Sequence, residues 1–152
     1  MANERLLNKG TELILETAAS SASVSDGAIR ECDSDNRQSA DNTGYDWGLF
    51  EFDTAAGGFS ATPTAGAVIN IYEQKINSDG NDAPDVASTY LYDYIGSMPV
   101  APSDTQQFLS KGMPININGG KYWIEWLDGG AGTASIDAGW ELRMTPATDG
   151  TA

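Results

Sequence analysis

The sequence predicts an all-β fold: a single-domain β-sandwich or jelly roll of about eight strands with little helix. Three observations carry this expectation. Short apolar runs recur at near-regular spacing, and seventeen glycines and six prolines punctuate them. Several of these runs alternate between two faces with the period of a strand. No window holds a long helical pattern, and 152 residues is the size of one domain with room for a real core.

The elements follow in order. Residues 1–10 are expected to form an N-terminal arm or lead-in. They carry Glu4, Arg5 and Lys9 and lack the long apolar run of a secretory signal. Helix formers between Glu4 and Leu15 would allow a helical turn, but Gly10 interrupts them, so Thr11–Thr17 reads as the first strand. The stretch from Ala18 to Thr43 is polar. In it, Ser25–Asp26–Gly27 and Asp33–Ser34–Asp35–Asn36 are turn chemistry, with a short strand at Ala28–Cys32 between them. Tyr45–Asp53 is an aromatic-rich strand, and Gly66–Ile76 is strongly β-branched. Ser88–Ile95 places Tyr90, Tyr92 and Tyr94 at alternating positions. Gln106–Lys111 and Met113–Ile117 read as two short runs separated by Gly112. Asn118–Gly119–Gly120 signals a hairpin leading into Lys121–Leu127. After a loop from Asp128 to Ser135, Ile136–Pro146 closes the fold, with Trp140, Leu142 and Met144 on one face and Glu141 and Arg143 on the other. The sandwich therefore spans 11–146, and 147–152 is expected to be a mobile polar tail.

Charge and composition exclude several classes. Twenty-two acidic against eight basic residues give a formal net charge of −14. Nucleic acids and anionic membranes are bound by clustered Lys and Arg, so neither is an expected partner. No run approaches the ~20 apolar residues of a membrane-spanning helix. The chain has no histidine, which removes Ser-His-Asp and Cys-His machinery and most zinc, copper and iron sites. Its one cysteine, Cys32, forms no intramolecular disulfide. It sits among Arg30, Glu31, Asp33 and Asp35, a field that opposes a thiolate, so a buried apolar role is expected. Walker-type and dinucleotide-binding glycine loops are absent. No cofactor and no catalytic centre are expected.

Two weaker chemical options remain. Glu51, Glu73, Glu125 and Glu141 lie in predicted strands, where a carboxylate pair across a groove would allow glycosidase-type chemistry. Alternation with apolar residues reads more simply as a solvent face. The segment Asn77–Asp85, with Asp79, Asp82 and Asp85, concentrates oxygen ligands suited to calcium. It fails the EF-hand spacing and reads foremost as a solvated connection.

The aromatics carry more information. Tyr122, Ile124 and Trp126 look like core, which puts Trp123 on the outer face among charges. Phe50 and Phe52 share one face of their strand, while Tyr45, Trp47 and Leu49 share the other. Tyr90, Tyr92 and Tyr94 oppose Leu91 and Ile95. A two-sheet sandwich covers only one face of each sheet. The surplus on Trp47, Tyr90, Tyr92, Tyr94 and Trp123 is therefore covered by loops or offered to a partner, since Trp and Tyr are favoured interface anchors.

Specific segments resemble a known family. Arg37–Gln38–Ser39–Ala40 is followed by the aromatic strand Tyr45–Phe52, and Pro63–Thr64–Ala65–Gly66 enters Val68–Ile69–Asn70–Ile71–Tyr72. The polar loop Asn77–Asp85 and the late Asn118–Trp123 segment complete the pattern. Together they resemble small virion proteins of tailed phages, the head decoration or cement proteins. The resemblance implies a jelly roll on the outer surface of an icosahedral head, made in the bacterial host cytoplasm. It implies bridging of the major capsid protein and self-association as homodimers or homotrimers at local symmetry axes. It carries no catalytic residues. Other virion roles, such as a head-fibre base, neck or tail component, share the fold expectation. The rival from another class is a carbohydrate-binding module with Trp47, Trp123 or several tyrosines as a stacking platform.

Overall fold

The computed structural model describes residues 6–32, 45–75, 93–115, 119–130 and 133–150. These build nine strands and, among the described residues, no helix. The strands are β1 (Leu6–Lys9), β2 (Leu13–Glu16), β3 (Ile29–Glu31), β4 (Trp47–Asp53), β5 (Val68–Lys75), β6 (Asp93–Pro99), β7 (Phe108–Pro114), β8 (Gly119–Leu127) and β9 (Glu141–Gly150).

The strands form two antiparallel sheets. The first runs β1–β9–β4–β7, with β2 also on β9, and the second runs β3–β8–β5–β6. β1 and β2 follow one another along a single edge of β9, so they fill one lane. Each lane then pairs with its mirror in the sequence: β2 with β9, β3 with β8, β4 with β7 and β5 with β6. A long antiparallel ribbon rolled over itself gives this nesting, which is the jelly roll. The expected fold class holds.

Alternation decides which side chains fill the space between the sheets. Phe50, Phe52, Leu142 and Met144 from the first sheet meet Ile69, Ile71, Tyr122, Ile124 and Trp126 from the second, and all are buried. Phe50 packs edge-on against Tyr122 with ring centroids 5.5 Å apart. Trp140 stacks on Phe52 at 5.2 Å, and Trp126 lies tilted against Phe59 at 5.2 Å. A buried indole needs an acceptor. Trp140 Nε1 donates to the Ala22 carbonyl at 2.9 Å, and Trp126 Nε1 donates to that of Ala134 at 2.8 Å. Cys32 is buried, as expected, with its N–H on the Tyr122 carbonyl at 2.9 Å.

Several expectations are corrected. Leu6–Lys9 and Ala147–Gly150, read as lead-in and tail, pair with each other in the first sheet. Pro146, read as the terminator, sits inside β9. Its carbonyl accepts from Gly10 N–H at 2.8 Å, so it faces the gap between β1 and β2. A strand residue's N–H and C=O point the same way, so the donor that proline lacks falls at that gap. Gly112 does not split two runs: β7 passes through it with unbroken pairing, Leu49 opposite Gly112. β7 and β8 do not form the hairpin expected at Asn118–Gly120. β7 belongs to the first sheet, and both edges of β8 are taken by β3 and β5, so the chain passes from one sheet to the other between them. The tyrosine strand, described from Asp93, runs on past Ile95 to Pro99.

Candidate functional site

The four strand glutamates are dispersed. Glu73 lies in the core, where the Tyr122 hydroxyl reaches it at 3.4 Å. Glu125 is on the outer face of the second sheet. Glu51 and Glu141 are on the outer face of the first, in a shallow depression lined also by Asp53, Phe108 and Arg143. There the Arg143 guanidinium is bonded to Glu141 and reaches Glu12 at 3.4 Å. The Glu141 hydrogen bond and charge raise the Arg143 pKa further. Glu141 is thereby committed to an ion pair. Among the described residues no group of three or more His, Cys, Asp or Glu is placed to hold a metal ion. Asp79, Asp82 and Asp85 lie outside the described residues.

The outer face of the second sheet carries a linked row of polar and aromatic groups. Glu125 accepts from Asn70 Nδ2 at 2.9 Å and from the Tyr72 hydroxyl at 2.7 Å. Ser97 Oγ donates to Asn70 Oδ1 at 2.7 Å, and the Tyr94 hydroxyl pairs with Ser97 Oγ at 2.6 Å. Trp123 Nε1 donates to Gln74 Oε1 at 3.0 Å. The Tyr72 and Tyr94 rings meet edge-on at 5.7 Å and 65°.

Burial, followed by the Glu125 hydrogen bond and charge, pushes the Tyr72 pKa up to about 12. Burial and then Glu73 raise that of Tyr122 well above the usual tyrosine value. A pKa raised in the folded state adds stability that is full below the unfolded value near 10 and lost as pH rises through the folded value. We expect stability to fall from about pH 10 through about 12 as Tyr72 ionises. In a spectrophotometric titration at fixed temperature, the late phenolate absorbance should shrink in Tyr72→Phe. An unchanged titration curve would contradict the assignment.

The third feature is an open edge. β6 and β7 are the terminal strands of their sheets and lie side by side. Gly96 faces Met113 so closely that an added Cβ would stand 2.8 Å from its Sδ. Lys111 Nζ crosses the seam to the Ser97 carbonyl at 2.8 Å. Tyr94 is 57% exposed and Phe108 65% exposed, the two most open large hydrophobics among the described residues. Trp47 sits beside this edge. Its ring covers Gly112, where an added Cβ would lie 3.4 Å away, and it borders a hollow shared with Met113 and Pro114. An aromatic lying over an edge glycine restores packing that the glycine lacks.

The structure thus separates the expected interface residues. Trp47 and Trp123 are both half-buried but occupy the outer faces of different sheets, so they do not share one platform. Tyr94 stands at the edge. Tyr90 and Tyr92 lie outside the described residues. Phe108 was not singled out by the aromatic pattern. The signal for it was charge: Tyr94–Ser103 and Thr105–Ile124 contain no acidic residue in a chain with 22 of them.

No family model matches the chain, and no curated protein does. Among solved structures, it is similar to a carbohydrate binding module from Cellvibrio mixtus lichenase 5A in complex with cellotriose. That match has a TM-score of 0.39 and 10% identity, and it covers 99% of this chain and 93% of the module. A second match is the IMPa metallopeptidase in complex with T-antigen, with a TM-score of 0.28 and 11% identity. It covers 97% of this chain and 13% of the peptidase.

Proposed function

We propose that this chain is a structural virion protein that decorates and stabilises the outer surface of a tailed-phage head by bridging major capsid subunits. The observation that carries this reading is the β6–β7 margin of the sandwich, where Tyr94 on the outer face of the second sheet and Phe108 on the outer face of the first both stand exposed. Exposed aromatics of this kind suit a protein partner. A body of charge −14 is repelled by packaged DNA, which favours the outside of the shell. The role needs no cofactor and no reaction. It adds buried area across capsomer seams, and repeated copies sum modest contacts through effective concentration. Manufacture in the bacterial cytoplasm belongs to the same reading.

A second reading rests on the outer face of the second sheet. There Tyr72 and Trp123 stand with Asn70, Gln74 and Glu125, ring faces and hydrogen-bonding groups of the kind that hold a sugar. The internal bonding of these groups and the 65° angle between Tyr72 and Tyr94 favour the first reading.

Antibody raised against the recombinant chain and imaged on negatively stained particles of its source distinguishes the two. Dense label over heads supports decoration. Label confined to necks, tails or fibres assigns another virion role. Unlabelled particles overturn the virion reading and make glycan binding the next assay.

A further inference from the structure

We infer that the depression on the outer face of the first sheet is a docking site for an arginine side chain of a protein partner, laid over the Phe108 ring with its guanidinium on Glu51 and Asp53. This rests on the reading of the chain as one that binds other protein subunits, and it gives that contact its chemistry. Cross-strand pairing builds the site. Glu51 of β4 stands between Ser110 of β7 and Arg143 of β9, and Asp53 stands between Phe108 and Glu141. Residues two apart on a strand point to one side, so these side chains share the outer face. The depression they line holds about 280 Å³. Pockets for whole small ligands begin at about 300 Å³, so this one suits a single long side chain.

The charges here do not balance. Arg143 is bonded to Glu141 and shared with Glu12. Asp53 Oδ1 accepts from Gln106 Nε2 at 2.9 Å, which leaves its second oxygen open. Among the described residues Glu51 accepts no hydrogen bond. Three carboxylates therefore line the depression with one guanidinium that is already engaged, and a partner complementary to it brings positive charge. Among the described residues these acids are not grouped to hold a metal ion, so the fitting cation is one carried on a side chain.

Phe108 selects arginine over lysine. Its ring is 65% exposed and pairs in register with Asp53. A guanidinium is planar, stacks on an aromatic face and forks onto a carboxylate, which a compact ammonium does less well. Ile14, 38% exposed and opposite Arg143, stands on the far side of the acidic centre. Two of the three exposed large hydrophobics among the described residues thus flank the site. That frame fits a protein surface carrying an arginine among apolar groups, and not a free cation.

The test is a titration of the recombinant chain with acetyl-Gly-Arg-Gly amide, followed by amide NMR shifts. It needs no particles, so it fails separately from the labelling experiment. Saturable shifts should centre on Glu51, Asp53, Phe108 and Ser110, with a dissociation constant in the millimolar range. The same peptide with citrulline, which keeps the shape and loses the charge, or with lysine should bind more weakly. Phe108→Leu keeps an apolar side chain without the ring and should weaken the arginine peptide about two- to fivefold, the worth of an exposed cation–π contact. Glu51→Gln should weaken it about three- to fivefold, as an exposed ion pair allows. Asp46→Asn removes the same charge about 17 Å from Glu51, at roughly 3.3 Å per residue, and should leave binding unchanged. Phe108 is exposed and Glu51 faces outward, and unchanged melting curves confirm that the variants fold. Shifts that do not saturate, or that spread over the whole acidic surface, overturn the inference. So does equal affinity for the citrulline or lysine peptide, or an Asp46→Asn variant as weak as Glu51→Gln.

Discussion

Trp140→Ala should lower the melting temperature by about 10 °C, since emptying a buried tryptophan site costs about 3–5 kcal/mol and a domain of this size loses about 2–4 °C per kcal/mol. Trp140 is fully buried and stacks on Phe52 at 5.2 Å and 14°. Its indole N–H also satisfies the Ala22 carbonyl, which fastens the segment between β2 and β3 to the start of β9. Alanine removes the ring, leaves a cavity beside Phe52 and strips that carbonyl of its donor. Trp140→Phe keeps an aromatic ring on Phe52 and loses only the donor, so its loss should be under half as large. Thermal unfolding followed by circular dichroism checks both. Equal losses in the two variants would mean that the hydrogen bond, and not the packing, dominates.

Gly58→Ala should cost about 2–4 kcal/mol, combining a left-handed backbone with overpacking. Gly58 has φ +68°, and an added Cβ would run into the Asp104 carbonyl oxygen and stand 2.6 Å from that of Thr105. Both obstacles are backbone, so no rotamer change relieves them. The turn holding Gly58 clamps the connection from β6 to β7. Phe59 N–H donates to the Asp104 carbonyl at 3.2 Å. Thr54 N–H donates to the Gln107 carbonyl at 3.0 Å, and Gln107 N–H donates to the Thr54 hydroxyl at 2.7 Å. Displacing that connection moves the start of β7 and hence Phe108. Gly27→Ala is the control. Gly27 has φ +73° with nothing within 4 Å, so it incurs only the conformational cost of about 1 kcal/mol. Urea unfolding of the two variants should separate them by at least about 1 kcal/mol. Equal losses would show that the Asp104–Thr105 backbone yields freely.

The core was legible because its strands alternate cleanly. Period alone reads Tyr122, Ile124 and Trp126 as core and groups Trp140, Leu142 and Met144 on one face, and each of the six is at most 2% exposed. The ends of the fold were not legible. Pro146 reads as a stop because its missing donor is a local fact. The gap between β1 and β2 that tolerates it is a tertiary fact. The glycines misled in the same way. Asn118–Gly119–Gly120 permits a sharp change of direction, but which strands pair afterwards is decided by which faces must be buried. Gly112 looked like a break, yet Trp47, far earlier in the chain, covers it.

For the candidate surfaces, alternation put Trp123 on an outer face and Trp47 on the face opposite Phe50 and Phe52. It said nothing of the sheet each belongs to, which is what separates them. The β6–β7 edge needed the strand order, because only that order makes two acid-free segments neighbours at one margin of the sandwich.

The most direct measurement is the copy number of this chain in purified particles of its source, by quantitative mass spectrometry against the major capsid protein. The account predicts hundreds of copies in a simple ratio to capsid subunits, on the order expected of a protein repeated across a closed symmetric shell. A handful of copies, or none, would contradict it.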